Sequence, residues 1–149
     1  MNPAEGVRRA RAGDETLLRD ITRAAYARWV AVMGREPAPM RDDFAARVAA
    51  GQAWLLGEDA LCVLEEKPDA LLLDNVAVRP GAQGRGLGRQ LIAFAEQEAR
   101  ARGHRVLRLY TNARMASNLA LYEGLGFAET RREEHEEVGT RVWMEKPLP

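Results

Sequence analysis

The sequence predicts a single α/β domain, in which a mixed and twisted β-sheet of about six to seven strands is flanked by about four helices. The chain has 149 residues, which suits one ordinary domain, and it contains no linker or repeat. Segments with strand-like and helix-like patterns alternate along it. A long apolar run at residues 71–78 is typical of a strand that is covered on both faces. We therefore expect one domain spanning residues 1–149, with helices on both faces of its sheet.

The first elements are expected to be a short strand and a long helix. Residues 7–11 are the candidate strand. Asp14 is a favoured N-cap residue, and the apolar residues after it recur at helical spacing as far as Gly34, where the helix should end. Two prolines then indicate a loop, and a second short helix is expected to end near Gly51.

The rest of the chain adds further strands and two more helices. One helix should follow the glycine-rich segment 81–88 and end at Gly103, and another should cover residues 115–123. The charged segment 131–137 is expected to be the loop of a hairpin between the last two strands. The remaining strands are expected at residues 54–56, 61–64, 71–78, 106–110, 127–128 and 138–144.

The composition excludes several classes of function. Lys plus Arg equals Asp plus Glu, at 22 residues each, so no basic excess favours a nucleic-acid or membrane-surface partner. No stretch approaches about 18 apolar residues and the first residues carry no apolar signal region, so we expect a soluble cytoplasmic protein. The single cysteine, Cys62, excludes an internal disulfide and a multi-cysteine metal site. Its apolar neighbours indicate a small buried hydrophobe rather than a nucleophile.

The glycine-rich segment 81–88 is the strongest candidate for a functional site, yet two familiar phosphate-binding motifs fit it poorly. Gly81 and Gly86 have the spacing of a P-loop, but Leu87 and Gly88 follow where that motif needs Lys and then Ser or Thr. The dinucleotide-binding motif Gly-x-Gly-x-x-Gly differs in spacing and belongs to the first strand-to-helix turn of its domain. Nucleotide hydrolysis and dinucleotide binding are therefore disfavoured.

What remains is a strand, a turn and a helix whose start can bind an anion. The first four amides of any helix lack partners within it, and the helix dipole adds roughly half a positive charge there. Glycines let a pyrophosphate approach the backbone closely, and nearby arginines add charge. The candidate phosphate-binding residues are Gln83, Gly84, Arg85, Gly86, Leu87, Gly88 and Arg89.

Two motifs in this order resemble the GNAT (GCN5-related) N-acetyltransferase superfamily. Residues 79–88 have the pattern Arg-Pro-x-x-Gln-x-x-Gly-x-Gly before a helix, which resembles the family's acetyl-CoA signature. Residues 122–127 have the pattern Tyr-x-x-x-Gly-Phe, which resembles a later segment of the same family. With the opening strand and two helices, the resemblance covers nearly the whole chain. It implies an enzyme that transfers acetyl from acetyl-CoA to an amine, without a metal ion or a covalent intermediate.

The resemblance also implies cofactor contacts from the strand that precedes the glycine-rich turn. That strand is expected to splay from its neighbour, so that Val76 and Val78 contact the pantetheine arm. A backbone N–H of Val76, Ala77 or Val78 would then polarise the thioester carbonyl, and one such donor contributes roughly 3–4 kcal/mol in other enzymes.

A further pantetheine contact is expected from an asparagine near the later motif. Family members often carry this asparagine seven residues before the tyrosine, and the present chain has Met115 there. Asn118 lies one helical turn later, and Asn112 lies one turn earlier. Asn118 is the candidate, and the choice between the two amides stays open at this point.

Two side chains are candidate catalytic groups. The resemblance places Tyr122 near the cofactor sulfur, where it would contact the cofactor and protonate the leaving thiolate. Because the reference pKa of tyrosine, about 10, exceeds the ~8.5 of a thiol, this transfer needs a concerted step or a depressed pKa. Asp74, a carboxylate in an otherwise apolar strand, is the candidate base. It could act directly, through water, or only by attracting the amine.

In the family, the acceptor site lies between the first two helices, their connecting loop and the C-terminal hairpin. The acidic segment 131–137 could attract a cationic amine there, or Arg35 could hold the carboxylate of an amino-acid substrate. The candidate acceptor contacts are Tyr26, Trp29, Met33, Arg35 and Glu36.

The leading interpretation is an enzyme that acetylates a primary amine on a small molecule. Acetylation of a peptide N-terminus or a lysine is the alternative within the same chemistry. A non-catalytic acyl-CoA-binding domain is the alternative outside it. We expect acetyl-CoA and an amine as partners, with no metal, nucleic acid or membrane, and a homodimer is compatible with the family.

Overall fold

The computed structural model describes residues 2–137 and 139–149, and this part of the chain forms seven strands and four α-helices. No helix in these two ranges is long and apolar enough to cross a membrane. The strands are β1 Val7–Arg9, β2 Ala53–Leu56, β3 Ala60–Glu66, β4 Leu71–Val78, β5 Val106–Asn112, β6 Ala128–His135 and β7 Gly139–Pro147. The helices are α1 Glu15–Met33, α2 Phe44–Ala49, α3 Leu87–Ala101 and α4 Ala116–Gly124.

The strands form one mixed sheet in the order β1-β2-β3-β4-β5-β7-β6. Only β4 and β5 pair in parallel among the described strands, and the other neighbours are antiparallel. Helices α3 and α4 pack on one face, and α1 and α2 pack on the other, so each face has its own apolar core. The predicted fold class, a mixed α/β sheet with helices on both faces, is confirmed. Cys62 lies fully buried in the first of these cores, where burial raises the pKa of its thiol.

The first helix begins and ends where the sequence predicts. Gly34 ends α1 in the left-handed conformation, with φ of 77°, and its N–H closes the last turn. Asp14 stands at the N-cap position, but its side chain does not cap the helix. It accepts hydrogen bonds from the Arg8 guanidinium and the Arg11 N–H, which lower its pKa to about 2. Asp14 is therefore the N-cap residue, as predicted, and its carbonyl accepts the first helical hydrogen bond from the Leu18 N–H at 3.0 Å, but its carboxylate binds Arg8 and Arg11 instead of a helix amide.

A β-bulge in β4 sets the direction of the side chains near the site. Leu73 and Asn75 pair with successive residues of β3, so Asp74 is an extra residue in β4. Leu73 belongs to the core on the α3 side, and after the bulge Val76 and Val78 pack against that same core. Asp74 and Asn75 both point to the other face, where they bond to α2 and α1. The bulge therefore puts two adjacent polar side chains on one face of the sheet.

The C-terminal hairpin differs from the sequence prediction. The segment 131–137 was expected to be a loop, but β6 continues to His135 and pairs with β7 along its length. Most β6 side chains are exposed, and its charged residues alternate without an apolar face. Such a strand lacks the period-two pattern of apolar residues by which strands are found. Val138, the predicted first residue of the last strand, lies outside the described residues.

Candidate active site

A cleft opens beside the C-terminal half of β4. The parallel pairing of β4 with β5 covers only residues 71–73 and 107–109, so the two strands separate beyond Leu73. A cavity of about 370 Å³ lies beside the separated end of β4, bounded by α1, α4 and the start of α3. Arg85 is exposed and lies outside its described lining. The predicted cofactor residues that line it are Val76, Ala77, Val78, Gln83, Gly84, Gly86, Leu87, Gly88, Arg89, Asn118 and Tyr122.

The glycine-rich turn presents backbone amides to one end of this cleft. Gly84 and Gly86 have φ of 87° and 79°, a conformation that side chains rarely adopt. The first hydrogen bond within α3 runs from the Gln90 N–H to the Gly86 carbonyl, at 2.9 Å. The amides before Gln90 in that first turn therefore lack partners within the helix. With Arg89 in the lining, this end of the cleft can bind a phosphate or pyrophosphate.

The free edge of β4 carries the candidate amide donors. The Val76 carbonyl accepts from the Tyr26 hydroxyl at 3.4 Å, and the Val78 carbonyl accepts from the Gln83 side-chain amide at 3.2 Å. Neither donor belongs to β3, so both carbonyls face away from that strand. In a strand, the N–H and C=O of one residue point to the same edge. The amides of Val76 and Val78 therefore face the cleft, and that of Ala77 faces β3.

A second and smaller cavity, of about 60 Å³, continues from the cleft toward β5 and β7. Tyr26, Asn118 and Tyr122 line both cavities, so they stand at the junction. Asn112, the other amide considered from the sequence, lines only the smaller cavity. Tyr110, Thr111 and Arg141 also line it, and sequence reasoning missed these three.

Tyr122 is held rigidly at the junction by the motif that it begins. Its carbonyl accepts from the Phe127 N–H at 3.0 Å, and the two rings meet edge to face with centroids 6.0 Å apart. Gly126 has φ of 99°, which lets the chain reverse between them. Burial raises the pKa of Tyr122 to about 12, in the opposite direction to the depressed pKa considered from the sequence.

A hydrogen-bonded chain fixes the second tyrosine of the junction. The Tyr26 hydroxyl donates to the Asn75 side-chain oxygen at 3.0 Å, and the Asn75 amide donates to the Thr22 hydroxyl at 3.2 Å. Asn75 and Thr22 are buried, and burial raises the pKa of Tyr26 well above its ordinary value. Asn75 was not among the site residues predicted from the sequence. A second polar residue beside Asp74 in an apolar strand could have indicated it.

Asp74 lines the smaller cavity and is not an isolated charge. Its carboxylate accepts a hydrogen bond from the Arg47 guanidinium of α2. Burial, and then the charge and hydrogen bonding of Asp74, raise the pKa of the Tyr110 hydroxyl. Arg47 also bonds to Asp42 at 2.9 Å and lies 3.7 Å from a Glu65 oxygen. One guanidinium is thus shared by three carboxylates, and the cluster joins α2 to the bulge in β4.

Replacing Arg47 with methionine should destabilise the fold by about 2–3 kcal/mol, because it leaves poorly solvated carboxylates without their counter-ion. The free energy of unfolding from urea titration measures this effect. The matched control is Arg102→Met, whose guanidinium at the C-cap of α3 bonds to Glu98 at 3.1 Å and lies 3.9 Å from a Glu66 oxygen; it should change stability by at most about 0.5 kcal/mol. An equal loss of unfolding free energy in the two variants would contradict the expectation that the Arg47 cluster stabilises the fold more than a surface ion pair does.

The predicted acceptor residues are only partly brought together. Tyr26 lines both cavities, Trp29 lines the larger and Met33 the smaller. Arg35 and Glu36 belong to neither described lining. Arg35 lies 3.9 Å from a Glu137 carboxylate oxygen, and Glu36 lies 3.2 Å from the Arg23 guanidinium. These surface ion pairs hold the Arg35 and Glu36 side chains outside the two cavities.

A comparison with protein families identifies this architecture. The profile of the family described as "Acetyltransferase (GNAT) domain" matches residues 43–129, which is more than half of the chain. The chain belongs to the GNAT acetyltransferase family. The matched range includes β4, the glycine-rich turn and Tyr122, which form most of the cleft, whereas the wall from α1 lies outside it.

Individual GNAT proteins are similar over part or all of the chain. The [ribosomal protein bS18]-alanine N-acetyltransferase of Salmonella typhimurium is 41% identical over 70 residues, which are 47% of this chain and 47% of that protein. The match thus spans about half the length of this curated relative. A GCN5-related N-acetyltransferase structure from Rhodopseudomonas palustris has a TM-score of 0.76 at 25% identity, covering 95% of this chain and 94% of that one. The PaiA N-acetyltransferase of Thermoplasma acidophilum, in complex with coenzyme A, has a TM-score of 0.75 at 15% identity, covering 95% and 98%.

Proposed function

We propose that this GNAT domain transfers acetyl from acetyl-CoA to a primary amine of a small molecule. The observation that carries the proposal is a single path through the site. An anion-binding helix start lies at one end of the cleft, the free amides of β4 lie along it, and Tyr122 separates it from a small second cavity. The similar fold of the Thermoplasma acidophilum protein, which binds coenzyme A, supports the donor.

The donor would lie along the cleft with its phosphates at the start of α3. The residues that would hold those phosphates are the amides of the first turn and Arg89. The pantetheine arm would then follow β4, where the free N–H of Val76 or Val78 can donate to the thioester oxygen. A donor aimed at the developing oxyanion contributes roughly 3–4 kcal/mol in other acyl-transfer enzymes. Asn118, which lines both cavities, would contact the arm through its side-chain amide.

The chemistry requires a bond between the amine nitrogen and the acetyl carbon, while the carbon–sulfur bond breaks. Tyr122 would donate its proton to the leaving sulfur in the same step. Asp74, on the wall of the second cavity, would attract and orient the ammonium, whose proton leaves through water before attack. Because Arg47 and Tyr110 already hold the carboxylate, it is pre-oriented toward that cavity.

Acetylation of a peptide N-terminus is a second candidate. The observation that favours it is the 41% identity to an enzyme named for an alanine of a ribosomal protein. Both candidates use the same donor and the same catalytic groups.

A thiol-release assay tests the proposal directly. Acetyl-CoA is offered with a panel of small amines, amino acids and short peptides, and free thiol is measured over time. We expect acceptor-dependent release with at least one small amine, and mass spectrometry should show its acetylated product. Tight acetyl-CoA binding without release across the whole panel would indicate a non-catalytic acyl-CoA-binding domain. Release with peptides alone would favour the second candidate.

A further inference from the structure

We infer that the acceptor is an α-amino acid with an apolar side chain, whose carboxylate is bound by Arg141 while its amino group faces Asp74. This inference rests on the proposed acetyl transfer and specifies the substrate class of the same site. Both charged side chains line the smaller cavity, one from β7 and the other from the bulge in β4. A substrate that carries both charges next to each other matches that arrangement.

Arg141 is held against aromatic rings, as Arg28 of the larger cavity is held against Trp29. Its guanidinium lies over the Tyr110 ring, 4.3 Å from the centroid, and 5.9 Å from the Trp143 centroid. Within residues 2–137 and 139–149, no ion pair joins a carboxylate to Arg141, whereas Arg47 and Arg108 each bond to at least two. Stacking on a ring face leaves the N–H edges of a guanidinium able to bind a carboxylate in a bidentate manner.

Asp74 belongs to a cluster that carries an excess of negative charge. Asp42, Glu65 and Asp74 share the Arg47 guanidinium, and Lys67 lies 3.4 Å from a Glu65 oxygen. Three carboxylates thus face two cations. A carboxylate has about four acceptor positions on its two oxygens, so Asp74 keeps capacity for an ammonium after its contacts with protein groups.

Tyr110 sets the spacing between the two charges. The Asp74 carboxylate interacts with the Tyr110 hydroxyl, and the Arg141 guanidinium lies over the face of the same ring. The Tyr110 side chain therefore separates the carboxylate from the guanidinium. An α-amino acid places its ammonium and carboxylate on one carbon atom. With hydrogen bonds of about 2.8 Å at each end, such a group can bridge two charges that contact a single tyrosine.

The remaining walls select the side chain of the acceptor. Met33, Pro37, Pro39 and Met115 line the same small cavity and offer apolar surface. A charged substituent on the acceptor would lose its hydration against these four side chains, which is unfavourable. The walls therefore favour a modest apolar side chain.

The proposed reaction is balanced in protons and charge. The amino nitrogen bonds to the acetyl carbon and the carbon–sulfur bond breaks. The ammonium loses two protons overall, one of which is matched by the proton on the released thiol and one of which passes to solvent. The product keeps its carboxylate and loses the charge that Asp74 attracts, so it should bind less tightly than the substrate.

The test compares acceptors that differ only in the carboxylate. Thiol release from acetyl-CoA is measured with leucine, leucinamide and 3-methylbutylamine, and with the corresponding sets for alanine, methionine and phenylalanine. The wild-type protein should prefer the free acid at least about tenfold in kcat/KM in one or more sets. Arg141→Gln should lower kcat/KM for that acid about 10- to 100-fold, since it loses hydrogen bonds to a charged group. Its kcat/KM for the matching carboxamide should change less than about threefold, because a neutral carboxamide cannot form the charged, bidentate contact.

Arg131→Gln is the matched control. Its guanidinium also stacks on an aromatic ring, 5.2 Å from the Trp143 centroid, but it lines a different cavity and lies 3.6 Å from a Glu133 oxygen. It should keep the wild-type preference between acid and carboxamide. The inference would be overturned if the wild-type protein used the free acid and the carboxamide equally well. It would also be overturned if Arg141→Gln lowered kcat/KM equally for both acceptors, or if only peptides were acetylated. Absence of thiol release with every acceptor would instead overturn the proposed function.

Discussion

Tyr122→Phe is expected to lower kcat about 100-fold, with little change in the KM for acetyl-CoA, because it removes a positioned proton donor at the leaving sulfur. The phenyl ring keeps the edge-to-face contact with Phe127 and the place of the side chain in the core, so the fold should persist. Steady-state kinetics at saturating acceptor measures the loss. Thermal unfolding of the same preparation checks that the variant is folded.

The raised pKa of Tyr122 determines how the proton can move. With a pKa of about 12, the phenol of Tyr122 stays protonated throughout the usual assay range. Its ionisation should therefore lower the rate only above about pH 11. Transfer to a free thiolate with a pKa of about 8.5 would be uphill by about 5 kcal/mol, which disfavours a separate step. We therefore expect the proton to move as the carbon–sulfur bond breaks, when the sulfur becomes basic.

A donor with a better leaving group separates the acid role from a packing role. An acetyl thioester of a more acidic thiol needs less help from an acid, so the loss caused by Tyr122→Phe should shrink with that donor. Undiminished kcat with acetyl-CoA would remove the acid role. A loss of equal size with both donors would assign Tyr122 to positioning of the cofactor or acceptor.

The parts of the site that could be predicted from sequence are those in which local backbone chemistry determines the structure. The turn at residues 83–88 needs left-handed glycines before a helix, and that requirement is visible as spacing. The end of α1 at Gly34 was predictable for the same reason. The alternation of helices and strands, with an apolar run at β4, predicted a mixed sheet covered on both faces.

The parts that depend on distant pairing could not be predicted. Asp74 stood out as a charge in an apolar strand, but its partner Arg47 is 27 residues away, and no local pattern connects the two. Arg141 reaches the smaller cavity because β7 pairs with β5 rather than with β4, which a single sequence does not reveal. The strand β6 lacks an apolar face, so its pairing with β7 gave no periodic signal.

Gly88→Ala should raise the KM for acetyl-CoA about tenfold or more, because phosphates that bind a helix start approach its backbone closely. Its thermal stability should be unchanged or slightly higher. Gly88 differs from Gly84 and Gly86, because its φ is not in the left-handed region. A Cβ atom there would meet Val78 Cγ2 at 3.8 Å, an ordinary contact, so the folded protein has room for alanine.

The opposite signs of the two effects make this variant informative. Alanine in a helix is favoured over glycine by roughly 0.5–1 kcal/mol, so the fold gains from the change. The methyl group would nevertheless stand beside the amides that the phosphates approach, and binding should weaken. Acetyl-CoA titration by calorimetry and thermal unfolding without ligand measure the two effects separately. Gly86→Ala is the comparison, since its φ of 79° should make it lose stability as well as affinity. An unchanged KM in Gly88→Ala would mean that the phosphates do not approach the helix at this residue. Glycine at position 88 would then be required neither for stability nor for acetyl-CoA binding.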